Sequence, residues 1–106
     1  MAAIHMNENE FQQKMNQGNW VLVDYWAPWC GYCRRIGPAY DKVAQDWEND
    51  VIVAKINIDE EPQLAHREMI EVIPTLVLYH EGKAVGSMVA PQSKAAIDEF
   101  LREKMG

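Results

Sequence analysis

Seven residues, Trp20 to Trp26 (WVLVDYW), constrain the fold more than any other stretch: the run is almost continuously apolar and rich in valine and aromatic side chains. Such a segment reads as a β-strand covered on both faces, so it belongs at the centre of a sheet with further layers on either side. Its one charged group is Asp24. An uncompensated carboxylate is expensive to bury there, and burial raises its pKa and poises it for proton transfer. A strand-end aspartate paired with Lys55 for structure alone is the bland alternative.

The flanking segments supply the other layers. Asn7-Glu8-Asn9-Glu10 places a capping side chain three residues ahead of a carboxylate, which predicts a short helix ending near Gly18 with Phe11 and Met15 inward. A longer helix is predicted from Cys30 or Gly31 to about Asn49, with Ile36, Tyr40, Val43 and Trp47 as its buried stripe and Pro38 kinking it. Val51 to Asn57 reads as a second strand, completing a βαβ unit with a right-handed crossover. Pro62 to Met69 reads as a short helix opened by proline. Thr75 to His80 and Ala84 to Val89 flank Glu81-Gly82-Lys83 as a hairpin, and Ser93 caps a last helix with Ile97, Phe100, Leu101 and Met105 inward. The result is an α/β layered domain.

The only two cysteines, Cys30 and Cys33, sit three apart, directly after the central strand and at the mouth of a helix. On a helix such positions share a face, so the sulfurs can bond without moving the backbone. A ring this short removes little chain entropy from the unfolded state, making the pair a poor staple and a good redox-active dithiol. A zinc half-site would need two more ligands, and His5, His66 and His80 are scattered, so no metal is expected.

The net charge of −6 disfavours a phosphate backbone or an anionic membrane as the main partner, so neither nucleic acid nor membrane is expected. With 106 residues, 48% of them hydrophobic, a single domain over 1–106 is expected. Met1 to Phe11 shows neither the basic start nor the apolar run of a secretory signal, and no segment approaches a membrane span. A cytoplasmic location is therefore expected, in a compartment that keeps thiols reduced. The chain is also expected to be a monomer.

These residues together resemble the thioredoxin family along nearly the whole chain. The resemblance is carried by Val23-Asp24-Tyr25-Trp26-Ala27, Trp29-Cys30-Gly31-Tyr32-Cys33, Pro38, Lys55-Ile56-Asn57-Ile58-Asp59, and Ile73-Pro74-Thr75 leading into Leu76-Val77-Leu78. It implies a thioredoxin fold: a central mixed five-stranded sheet flanked by four helices, with the last two strands antiparallel to their neighbours. It also implies a general protein-disulfide reductase with no bound cofactor beyond the redox-active Cys30-Cys33 disulfide. The implied partners are disulfide-containing client proteins and an NADPH-dependent flavoprotein, thioredoxin reductase.

Residue by residue, the resemblance makes Cys30 the nucleophile, consistent with the helix dipole and unpaired N–H groups that favour a thiolate there. Cys33 resolves the mixed disulfide. Asp24 takes the proton from Cys33 through a water, with Lys55 modulating its charge. The Ile73-Pro74 bond is implied to be cis and to face the dithiol, with the backbone of Ile73 pairing with an extended client. Trp29, Gly31, Tyr32 and Ala90 complete the implied client surface. Trp26 reads as packing, Trp20 and Trp47 as core or rim, and the methionines as gap-fillers.

Some positions depart from the family pattern. Tyr32 stands where most thioredoxins carry proline, which predicts a less reducing couple, helped by Arg34 and Arg35 unless both are screened by solvent. Ala90-Pro91 replaces a glycine that lets the client backbone approach, so a β-carbon narrows the groove. Met69 and Val72 also replace glycines, with no consequence read from the sequence. A more oxidising disulfide oxidant or isomerase is the variant within the class. The alternative outside it is a non-catalytic binding subunit using the apolar rim around Trp29, Ile73 and Pro74. Retention of Cys30, Cys33, Asp24 and Pro74 together favours the enzyme.

Overall fold

Alternation along the central strand decides the layering, because successive side chains leave a strand in opposite directions. In the computed structural model, which describes residues 2–106, the strand spans Trp20–Trp26 and its five inner residues are fully buried. Val21, Val23 and Tyr25 enter one core, while Leu22 enters another on the opposite face. Both faces are therefore covered.

The elements in chain order are β1 (Ile4–His5), α1 (Glu8–Asn16), β2 (Trp20–Trp26), α2 (Gly31–Asp46), β3 (Ile52–Asn57), α3 (Pro62–Arg67), β4 (Thr75–His80), β5 (Lys83–Val89) and α4 (Lys94–Met105). They form a five-stranded sheet in the order β1-β3-β2-β4-β5. β1 and β2 run parallel to β3, β4 is antiparallel to β2, and β5 is antiparallel to β4. This is the mixed sheet with four helices that the resemblance implies. One core, including Leu22, Leu76 and Leu78, packs on Tyr40 and Val43 of α2 and Ile97 and Leu101 of α4. The other, including Val23, Ile56 and Val77, takes Phe11 and Met15 of α1 and Leu64 of α3.

The local signals hold with several corrections. The capping box at α1 forms: the Asn7 side chain accepts from the Glu10 N–H, and the Glu10 carboxylate accepts from the Asn7 N–H, both at 2.9 Å. β1 has no counterpart among the elements that segment patterns predict, since two residues are too few to show alternation. α2 ends at Asp46 rather than near Asn49, with half-buried Trp47 as its C-cap, and continues through Pro38. α3 stops at Arg67 rather than Met69. Met69 has φ 62°, the left-handed turn that closes a helix and for which glycine is suited. Val51 is buried but lies just before β3. The hairpin turn has two residues, Glu81 (φ 52°) and Gly82 (φ 79°), so Lys83 belongs to β5. Phe100 and Met105 are half-buried, packed against the core that Ile97 and Leu101 enter.

Candidate active site

Strand directions bring four connections to one rim of the sheet. β2 and β3 are parallel, so the segments after Trp26 and after Asn57 leave from the same end. Tyr25 pairs with Thr75 and Thr75 with Val89, which sets the start of β4 and the end of β5 beside them. Cys30, Asp59, Pro74 and Ala90 thus meet at one edge.

Cys30 is the N-cap of α2, and its Sγ accepts the Cys33 N–H at 3.2 Å. A sulfur held on a helix N-terminal N–H is well placed to carry negative charge. Its own N–H donates to the Ala27 carbonyl at 3.1 Å, closing the turn out of β2. Both cysteines are free thiols; Cys30 is half-buried, and Cys33 is only 1% exposed. Burial, above all, pushes the Cys33 thiol up to about 12, with further contributions from Cys30 and the Asp24 charge. One sulfur is presented and the other is hidden.

Asp24 is 0% exposed and neither carboxylate oxygen has a hydrogen-bond partner. Desolvation lifts its pKa from 3.8 to about 7, against the opposing charge of Lys55. Asp24 is in register with Lys55 on β3 and Leu76 on β4, and therefore faces the α2 side of the sheet. The direct Asp24–Lys55 pairing of the bland alternative does not form. The Lys55 Nζ lies 4.2 Å from the centroid of the Trp26 ring, and the His5 and Trp26 rings meet in a T-shaped arrangement with centroids 6.0 Å apart. Trp26 is half-buried packing, and its indole N–H has no hydrogen-bond partner.

The remaining candidates line the rim. The Ile73-Pro74 bond is cis, with Pro74 buried and Ile73 half-buried. The Thr75 hydroxyl donates to the Val72 carbonyl at 2.6 Å, closing the loop before β4. Trp29 is 66% exposed, and its indole N–H donates to Asp59 at 2.9 Å. That partner was not singled out from the sequence, although its place at the end of a parallel neighbouring strand is the signal that could have found it. Gly31 opens α2 at the surface, where a β-carbon would meet nothing within 4 Å. Tyr32 is half-buried and its hydroxyl donates to the Pro91 carbonyl at 2.7 Å. Ala90 has φ 46° and donates its N–H to the Pro74 carbonyl at 2.9 Å. Arg34 donates to the Pro28 carbonyl at 2.7 Å, and Arg35 is exposed. With Trp29, the exposed side chains of Val72 and Val89 make this rim apolar. Among the described residues no three His, Cys, Asp or Glu side chains form a metal-holding group, and no helix is long and apolar enough to cross a membrane.

Comparison with known proteins agrees with this geometry. The family model described as Thioredoxin matches residues 2–103. Thioredoxin 1 of Nostoc sp. is 37% identical over 105 residues, covering 98% of both chains. The thioredoxin of Porphyra purpurea is 35% identical over 104 residues, 97% of each. That of Chlorobaculum thiosulfatiphilum is 42% identical over 86 residues, 81% of this chain and 80% of the relative.

Proposed function

The chain belongs to the thioredoxin family, and from that premise we propose that it reduces client disulfides, with Cys30 as attacking and Cys33 as resolving thiol. It is a thioredoxin-like protein-disulfide oxidoreductase, as its family and its two neighbouring cysteines indicate. The observation that carries the division of labour is the contrast between the two sulfurs. Cys30 caps the helix at the rim, while Cys33 is buried with its thiol pushed up to about 12.

The Cys30 thiolate attacks one sulfur of a client disulfide; that bond breaks, and the departing client sulfur takes up a proton. Cys33 then attacks Cys30 in the mixed disulfide, forming the Cys30-Cys33 bond and releasing the second client thiol. The client gains two electrons and two protons, and the dithiol is oxidised. Burial holds the Cys33 thiol well above its ordinary range, so at pH 7 it is protonated and resolution needs a base. Asp24, unpartnered and near neutrality, takes that proton, with Lys55 adjusting its charge. Ile73, Pro74, Trp29, Gly31, Tyr32 and Ala90 form the client surface, the Ile73 backbone pairing with an extended segment.

The cycle uses no bound cofactor, since the two sulfurs carry the electrons. An NADPH-dependent flavoprotein thioredoxin reductase returns them, and the reducing cytoplasm suits a dithiol donor. Tyr32 in the proline position makes the couple less reducing than a usual thioredoxin. Titration against glutathione checks this, a potential at or below the usual value rejecting it. Insulin-disulfide reduction with dithiothreitol tests the main reading. The native chain accelerates it and Cys30→Ser does not, whereas equal turnover by both would favour a non-catalytic binding subunit.

A further inference from the structure

The exchange steps above make no use of the hydrogen bond between Tyr32 and Pro91. Tyr32 stands between the two cysteines in the first turn of α2, and its hydroxyl reaches the carbonyl of Pro91, 59 residues further along. Beside Pro91 is Ala90, whose φ of 46° lies in the left-handed region that strains a residue bearing a β-carbon. The Ala90 N–H is tied to the Pro74 carbonyl at 2.9 Å. Two bonds, one from α2 and one from Pro74 just before β4, therefore hold one strained turn. Glycine would adopt the same backbone readily, without needing the second tie.

We propose that Tyr32 is a positioning residue for the 89–91 segment. Its bond to Pro91 keeps Ala90 in a turn that glycine would hold unaided, and so fixes the wall beside Ile73 and Pro74 against which a protein client docks. This rests on the reading that protein disulfides dock along Ile73 and Pro74. A small disulfide needs only the Cys30 sulfur and is indifferent to that wall, whereas an extended polypeptide lies along it.

The test compares kcat/KM for insulin with kcat/KM for bis(2-hydroxyethyl) disulfide. Tyr32→Phe keeps the ring and deletes only the hydroxyl. The insulin-to-small-disulfide ratio is expected to fall about five-fold, the effect of one neutral hydrogen bond, with the change in the KM for insulin. In an Ala90→Gly background the same substitution is expected to move the ratio less than about two-fold, because glycine restores the turn. A proportional change on both substrates would assign Tyr32 to the sulfur chemistry and overturn the proposal. An equal fall in both backgrounds would overturn the coupling to residue 90. A native chain that reduces neither substrate would remove the reductase reading, and this proposal with it.

Discussion

Asp24 shows how one buried oxygen pair links stability to turnover. Below pH 3.8 the carboxyl is protonated in both the folded and unfolded chain, and the folded state bears no ionisation penalty from it. As pH rises towards 7 the unfolded chain ionises first, so stability falls, and above the folded value the loss is complete. A displacement from 3.8 to about 7 corresponds to about 4 kcal/mol. Asp24→Asn is therefore expected to be more stable than the native chain at pH 8 and to lose this part of the slope between pH 4 and 7, measured by urea unfolding across that range. Under the proposed mechanism only ionised Asp24 can accept the Cys33 proton. Release of client from the mixed disulfide should accelerate through pH 7 in the native chain, and stopped-flow traces of Asp24→Asn should lack that step. Asp24 was legible in the sequence because a lone charge in an apolar strand has few explanations. The Tyr32–Pro91 and Trp29–Asp59 bonds were not, since each joins groups far apart in sequence and brought together only by strand order.

At the level of elements, ends were harder to read than middles. The α1 capping box is spelled out by neighbouring residues, and Asn7→Ala is expected to lower stability by about 1 kcal/mol in chemical denaturation. The end of α3 has no such spelling. The predicted helix runs on to Met69, where the backbone has already turned left-handed. Met69 is 79% exposed and has little packing to lose. Met69→Gly is thus expected to raise stability by about 1 kcal/mol in the same measurement, an unchanged midpoint counting against strain at this site. The hairpin behaves likewise: Gly82 announces a turn, but only the positive φ of Glu81 shows it to be two residues long.

Across the whole molecule, the layering was plain in the sequence because β2 is apolar on both faces, and a sheet so covered has few arrangements. What stayed illegible was the outer edge, where β1 contributes two residues and no periodicity. Strand order predicts the pattern of amide exchange. Protons in β2, β3 and β4 should outlast those in β5 and β1, which have a neighbour on one side only, and hydrogen–deuterium exchange would show it. Uniform protection from edge to edge would count against that ordering. The same strand order bears on biosynthesis. Ile4 and His5 are translated before the other strands, yet their sole strand partner begins at Ile52, beyond both α1 and α2. A ribosome that has released residues 1–49 has exposed a leading edge with nothing to zip onto, so the earliest-made strand joins the sheet only after β3 has been made.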